Sequence, residues 1–86
     1  MLRQQPWRVW LHNDSVTPMD YVVGILREVF DLGWSKATWA MLKAHVSGLA
    51  EVGLFAAGEA RERIDAAHAR AKGDAWPLLF SCEPSK

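Results

Sequence analysis

The sequence predicts an α+β sandwich, a three-stranded sheet with three helices packed on one face, in the order β-α-α-β-α-β. Two observations predict it. Short segments that alternate apolar and polar residues, as at Trp7–His12, are separated by longer ones with apolar residues three and four apart. The junctions carry turn, capping or helix-stopping residues, among them Asn13-Asp14-Ser15, Thr17-Pro18, Gly33, Gly48 and Gly73.

In the first element, Val9 and Leu11 alternate with Arg8, Trp10 and His12, as in a half-buried strand. Asn13-Asp14-Ser15 breaks it. Thr17 is placed to cap a helix, Pro18 suits its first position because a missing N–H costs nothing there, and Asp20 sits where a capping-box acid reaches back. Met19, Val22, Val23, Leu26 and Phe30 form that helix's apolar stripe, and Asp31-Leu32-Gly33 ends it. Ser35 is placed to cap a second helix running to about His45. Its face of Ala37, Ala40, Met41 and Ala44 permits close approach of a neighbour, and Gly48 is its stop. Leu49–Phe55 reads as a second strand, weakened by Gly53. Ala57–Lys72 reads as a third helix with a narrow stripe of Ala60, Ile64, Ala67 and Ala71, and Glu59 stands four residues before Arg63 for an ion pair. Gly73 closes it. Trp76–Cys82 is the third strand, its start marked by Pro77, and residues 1–6 and 83–86 are expected as polar tails. Strand order does not follow from the pattern.

The chain has 86 residues, enough for a single domain spanning 1–86, and half of them are hydrophobic. A chain this short buries roughly 60–65% of its unfolded surface, so its core must be economical. Ten basic and ten acidic residues cancel, which argues against a nucleic-acid partner. No run reaches the roughly 18–20 apolar residues of a membrane span, so no membrane partner is expected. Cys82 is the one cysteine, which suits a reducing cytoplasm.

Catalysis finds no support in the pattern, and an enzyme is not expected. Asp14, Ser15 and His45 are the residue types of a hydrolytic triad, but Ser15 lies in a turn without a G-x-S-x-G elbow. His12, His45, His68 and Cys82 lack metal-ligand spacing, and no glycine pattern matches a phosphate loop, so no cofactor is expected. Binding fares better. If the first two helices form a hairpin, the polar turn before Met19 meets His45 over a small apolar pit. Composition and spacing alone favour a plainer reading, in which Asn13 and Asp14 make the turn, Thr17 caps and the methionines fill core.

Longer motifs add to this. Arg8-Val9-Trp10-Leu11-His12-Asn13-Asp14-Ser15-Val16-Thr17-Pro18-Met19-Asp20-Tyr21-Val22 resembles the opening of the ClpS family, adaptors that deliver N-degron substrates to the Clp AAA+ protease. The family's signature there is Asn-Asp-Asp-x-Thr-Pro-Met followed by an acidic and an aromatic residue. Ala37-Thr38, Met41-Leu42 and His45-x-x-Gly48 resemble its second motif, and Trp76-Pro77-Leu78-Leu79 resembles the His-Pro-Leu-Leu of its last strand. The pattern runs from Arg8 to Glu83 without a gap. The resemblance implies the same β-α-α-β-α-β fold and a pocket for the N-terminal residue of a substrate protein, with Phe, Leu, Trp or Tyr preferred. It implies that Asn13, position 15 and His45 hold the α-amino group. The side chain would enter a pit walled by Met19, Val22, Met41, Ala44 and Leu78, with Thr17 beside it.

Those residue types suit that task, because a dehydrated ammonium needs every donor met and amide oxygen, carboxylate and neutral imidazole all accept. Methionine walls tolerate several large side chains yet crowd β-branched ones. The chain departs from the family at four places. Ser15 stands where the family has its second Asp, which removes a carboxylate from the amine site, so that either affinity is lower or Asp14 takes over that role. Ala44 stands where Val is common, which widens the pit. Ala56-Ala57-Gly58 replaces a Thr-x-Glu pattern on the surface that docks on the N-terminal domain of the Clp AAA+ unfoldase, with Arg63 the one basic match. Only about seven residues precede the first strand, where the family carries a long extension. A structural or assembly module of the same fold, like the C-terminal domain of the ribosomal stalk protein, stays open beside this reading. The Asn13/His45 pair and the Met19/Met41 pit are what such a module would not need.

Overall fold

A computed structural model describes residues 5–85. The elements are β1 (Trp7–His12), α1 (Met19–Glu28), α2 (Trp34–Ser47), β2 (Leu49–Phe55), α3 (Ala57–Gly73) and β3 (Leu79–Pro84). They form one antiparallel sheet in the order β2-β1-β3, with the first strand at its centre. β1 buries Val9 and Leu11 completely against the helices, while Arg8, Trp10 and His12 on its other face are half-buried. On that outer face Arg8 meets Glu51 at 3.4 Å, and the Trp10 indole donates to Glu83 at 3.0 Å.

All three helices lie on the inner face. α2 packs over β2 and α3 over β3, while α1 packs on α2. The alanine stripes expected from the sequence are what touch: Ala37, Ala40 and Ala44 from α2, and Ala60, Ala67 and Ala71 from α3, are all buried. Small side chains bring both helices close to the sheet, and the volume between them is filled by Ile25, Leu26, Phe30, Ile64 and Phe80. Phe30 and Phe80 stack with ring centroids 4.7 Å apart.

The β1–β2 register slips between Val9 and Trp10, where Val9 faces Gly53 and Trp10 faces Glu51. Val52 is the extra residue of a bulge. Gly53, expected only to weaken the strand, is the bulge's second residue. A Cβ there would sit 3.5 Å from the Phe55 ring, an ordinary van der Waals contact.

Several boundaries differ from expectation, each for a local reason. Thr17 does not cap α1. Its N–H and O–H are both taken by Asp14, and Pro18 occupies the cap position in extended geometry with its carbonyl accepting from Val22. Asp20 makes no capping box and accepts from the Tyr21 amide instead. α1 stops at Glu28, short of Phe30, because the Arg63 guanidinium donates to the Val29 carbonyl at 2.8 Å and Asp31 then turns at φ 61°. Gly33, rather than Ser35, stands at the N-cap of α2. That helix continues past His45 to Ser47, where Gly48 ends it at φ 87°.

At the end of α3 the positive φ falls on Ala75 (64°) and not on Gly73. The Trp76 N–H closes back on Ala71 at 2.8 Å and Pro77 has no N–H, so β3 begins at Leu79 rather than Trp76. The strand runs on to Pro84. Glu83 and Pro84, expected as tail, therefore pair with Arg8 and Trp7. Ser85 is buried, donating to the Pro6 carbonyl and accepting from the Gln5 side chain. Of the expected tails, residues 1–4 and 86 lie outside the described residues.

Gly48→Ala tests the helix stop. No atom lies within 4 Å of a Cβ at this position, so the cost is backbone strain alone. Chemical denaturation should show a loss of about 1 kcal/mol with an unchanged slope.

Candidate functional site

The loop between β1 and α1 is built around one side chain. Asp14 Oδ1 accepts from the amides of Val16 (2.8 Å) and Thr17 (2.7 Å), and Oδ2 accepts from the Thr17 hydroxyl at 2.9 Å. This is an Asx-type turn, in which the carboxylate replaces backbone acceptors that the tight corner cannot supply. Partial burial acts to raise the Asp14 carboxyl, but the bonds from Thr17 and Val16 outweigh it and hold its pKa below the usual carboxylate range. At the loop's start, the Asn13 amide donates to the Gly48 carbonyl at 3.1 Å. That bond ties the polar corner to the end of α2, one turn beyond Ala44 and His45.

Between the loop and the helices lies a pit of about 350 Å³. Leu11, Val22, Ala44 and Leu78 are its buried lining, coming respectively from β1, α1, α2 and the segment before β3. Half-buried Met41 and Met19, which is 44% exposed, stand higher in the wall. Asn13, Ser15 and His45 are exposed polar residues of the same lining. An apolar interior with a few convergent acceptors is the usual form of a ligand site.

The structure brings together Asn13, Asp14, Ser15, Thr17, Met19, Val22, Met41, Ala44, His45 and Leu78, each singled out from the sequence, around this one pit. It adds Leu11, His12, Val16 and Pro18. Sequence reasoning marks Leu11 and His12 only as strand residues. The alternation that defines the strand does carry the signal, since its last two residues must border whatever the following turn encloses. His12 also shares a hydrogen bond of 2.6 Å with the Ser81 hydroxyl across β1 and β3. Asp14 is bonded to its own loop rather than to His45, so Asp14, Ser15 and His45 do not form a triad relay.

Arg63 is not part of the pit. Its guanidinium bonds the Val29 carbonyl and Glu59 and lies 5.2 Å from the centre of the Phe55 ring, holding α1 to α3. His68 is half-buried and accepts from the Phe80 amide at 2.9 Å, supplying an acceptor to the edge strand. Cys82 is half-buried in β3. Trp34 and Trp39 are exposed, at 64% and 69%. Among the described residues, no helix is long and apolar enough to cross a membrane.

A three-stranded sandwich with an apolar pit at one corner and acceptors around it belongs to the class of small recognition modules. Residues 2–81 match the family model described as ATP-dependent Clp protease adaptor protein ClpS. The ATP-dependent Clp protease adapter protein ClpS of Desulfatibacillum aliphaticivorans is 39% identical over 82 residues, covering 95% of this chain and 79% of the relative. The same adapter from Nitratidesulfovibrio vulgaris (strain DSM 19637 / Miyazaki F) is 42% identical over 77 residues, covering 90% and 77%. The solved structure of Agrobacterium tumefaciens ClpS2 bound to L-phenylalaninamide is similar over 96% of this chain and 100% of that one, with a TM-score of 0.91 and 30% identity. The chain belongs to the ClpS family of Clp protease adaptors.

Asp14→Ala removes the acceptor for three donors and should cost about 1–2 kcal/mol, the scale of losing a helix cap. Because the folded pKa is depressed, this contribution is present above the unfolded value near ~3.9 and is lost as pH falls through the lower folded value. Denaturation of wild type and variant should therefore differ steadily at pH 5–8 and converge in strong acid.

Proposed function

We propose that this chain binds the N-terminal residue of substrate proteins, through its free α-amino group and a large hydrophobic side chain, and delivers those proteins to a Clp AAA+ protease. The observation that carries the reading is the pit itself, apolar below and ringed by Asn13, Ser15, His45 and Asp14. The family relationship supports it. L-phenylalaninamide, the ligand bound to Agrobacterium tumefaciens ClpS2, has a free α-amine, a benzyl side chain and an amide where the next residue would follow.

The roles follow from chemistry. The Asn13 amide oxygen and a ring nitrogen of His45 accept from the ammonium, and the Ser15 hydroxyl does so where the family pattern has a carboxylate. Among the described residues, Asp14 is the one acidic residue lining the pit. Its carboxylate is spent on the loop as a hydrogen-bond acceptor, yet its charge still favours a cation nearby. Val22, Ala44 and Leu78 receive the side chain, and Met19 and Met41 close around it. Hydrogen bonds to a charged group contribute about 1.5–3 kcal/mol each, and burying a Phe or Leu side chain contributes about 1.5–3 more. After association costs, this gives micromolar binding or somewhat tighter.

No bond in the substrate is made or broken in this role, and no cofactor is needed. The delivery partner is the N-terminal domain of the Clp AAA+ unfoldase. Arg63, the basic match to the family's docking surface, presents to it a side chain 28% exposed and already bonded to Glu59 and Val29.

Fluorescence anisotropy of a labelled peptide beginning with Phe, beside its N-acetylated twin, tests the reading. The free amine should bind at least about tenfold more tightly, the value of one lost charge-assisted bond. Equal binding of both, or none of either, overturns it in favour of an assembly module. Met19→Ala should relax the wall and admit peptides beginning with Ile or Val. Continued exclusion of those peptides would show that Met19 is not the gate.

A further inference from the structure

We propose that the hydrogen bond from Tyr21 to Asp74 is a strut that sets the width of the pit, and with it the preference among large N-terminal side chains; this rests on the function proposed above. Tyr21 lies on α1 between Met19 and Val22, which both line the pit, and is not itself part of the lining. Its hydroxyl donates to the Asp74 carboxylate at 2.5 Å, and its ring lies 6.2 Å from that of Trp76. The bond joins the first turn of α1 to the segment that leaves α3.

The backbone of that segment is fastened to α3 alone, with the amides of Asp74, Ala75 and Trp76 all closing back on its last turn. Asp74 caps α3, Ala75 turns at φ 64°, and the Trp76 N–H closes back on Ala71. Pro77 has no N–H to give. Leu78 follows, 5% exposed, as the wall that faces α1 and α2 across the pit, and the β-ladder resumes only at Leu79. Leu78 and Trp76 pack on the core, and the polar tie from this segment to α1 comes from Tyr21, through its hydroxyl to Asp74, with its ring against Trp76. Since Met19 and Val22 flank Tyr21, the same bond fixes how far the Leu78 wall stands from the α1 wall. A nearby ion pair, Arg70 with Glu28, joins the same two helices one turn back along α3.

A strut of this kind acts on selectivity more than on stability. The bond is exposed, where such interactions contribute little to folding. The pit, however, senses wall movements smaller than a methylene. Freed from the strut, Leu78 relaxes away from α1, and the pit becomes wider, which favours Trp and loosens the fit of Leu.

The test is binding of free-amine peptides beginning with Leu, Phe and Trp to Tyr21→Phe, Asp74→Ala and Asp74→Asn, with methyl NMR spectra of Leu78 recorded without peptide. Tyr21→Phe keeps the ring on Trp76 and removes only the donor. Tyr21→Phe and Asp74→Ala should shift the Trp-to-Leu affinity ratio about threefold or more toward Trp and move the Leu78 methyl signals, with little change in Tm. Asp74→Asn, whose amide oxygen still accepts from the hydroxyl, should retain the wild-type ratio. Unchanged ratios and Leu78 signals in both Tyr21→Phe and Asp74→Ala overturn the strut. If the wild type binds no free-amine peptide, the functional reading fails, while the Leu78 signals still decide whether the bond positions the wall.

Discussion

Everything at the recognition corner depends on one carboxylate meeting three donors within three residues. Asp14 closes the loop after β1, and in doing so it takes from Thr17 the role of helix cap that its sequence context offers. α1 therefore starts from Pro18, and its first residue, Met19, stands at the wall of the pit rather than inside the core. The Asn13–Gly48 bond fixes the other end of the loop to α2. The backbone that carries Asn13 and Ser15 is tied at both ends by these bonds, and such preorganisation lowers the cost of binding at a small site.

The body of the domain supports that corner economically. Alanine faces let α2 and α3 sit low on the sheet, and a handful of large residues fill what remains. α1 is held differently on its two sides. It packs against α2 through side-chain contact, and it is tied toward α3 by polar reach, with Arg63 to Val29, Arg70 to Glu28 and Asp74 to Tyr21. A packed side resists displacement in all directions, whereas tethered groups fix a distance and leave some freedom of rotation.

The sequence made the element order and most of the pit legible, for identifiable reasons. Alternation at Val9 and Leu11 and the alanine stripes are periodic signals that tertiary contacts reinforce, and Gly48 stops α2 where a left-handed residue is required. Motif resemblance supplied the grouping of the ten lining residues that spacing alone left ambiguous. The errors fall where side chains distant in sequence decide local structure. No window around Thr17 shows that Asp14 will claim it, and no window around Phe30 shows that Arg63 will close α1 early. No window around His68 shows that it will serve the Phe80 amide twelve residues away. The central place of β1 was not legible either, since strand order is set by helix packing rather than by any one strand.

That central strand has a consequence for how the domain assembles. β1 is complete only when β2 and β3 have both added to it, and Trp7 pairs with Phe55 on one side and Pro84 on the other. The sheet is thus dominated by contacts distant along the chain, the topology in which closure comes late and cooperatively. Asn13 and Met19 leave the ribosome long before Leu78 does, so a growing chain carries the polar corner of the pit without the wall opposite it. The receptor comes into being with the last strand, and a half-made copy has no pit with which to capture the N-termini of its neighbours.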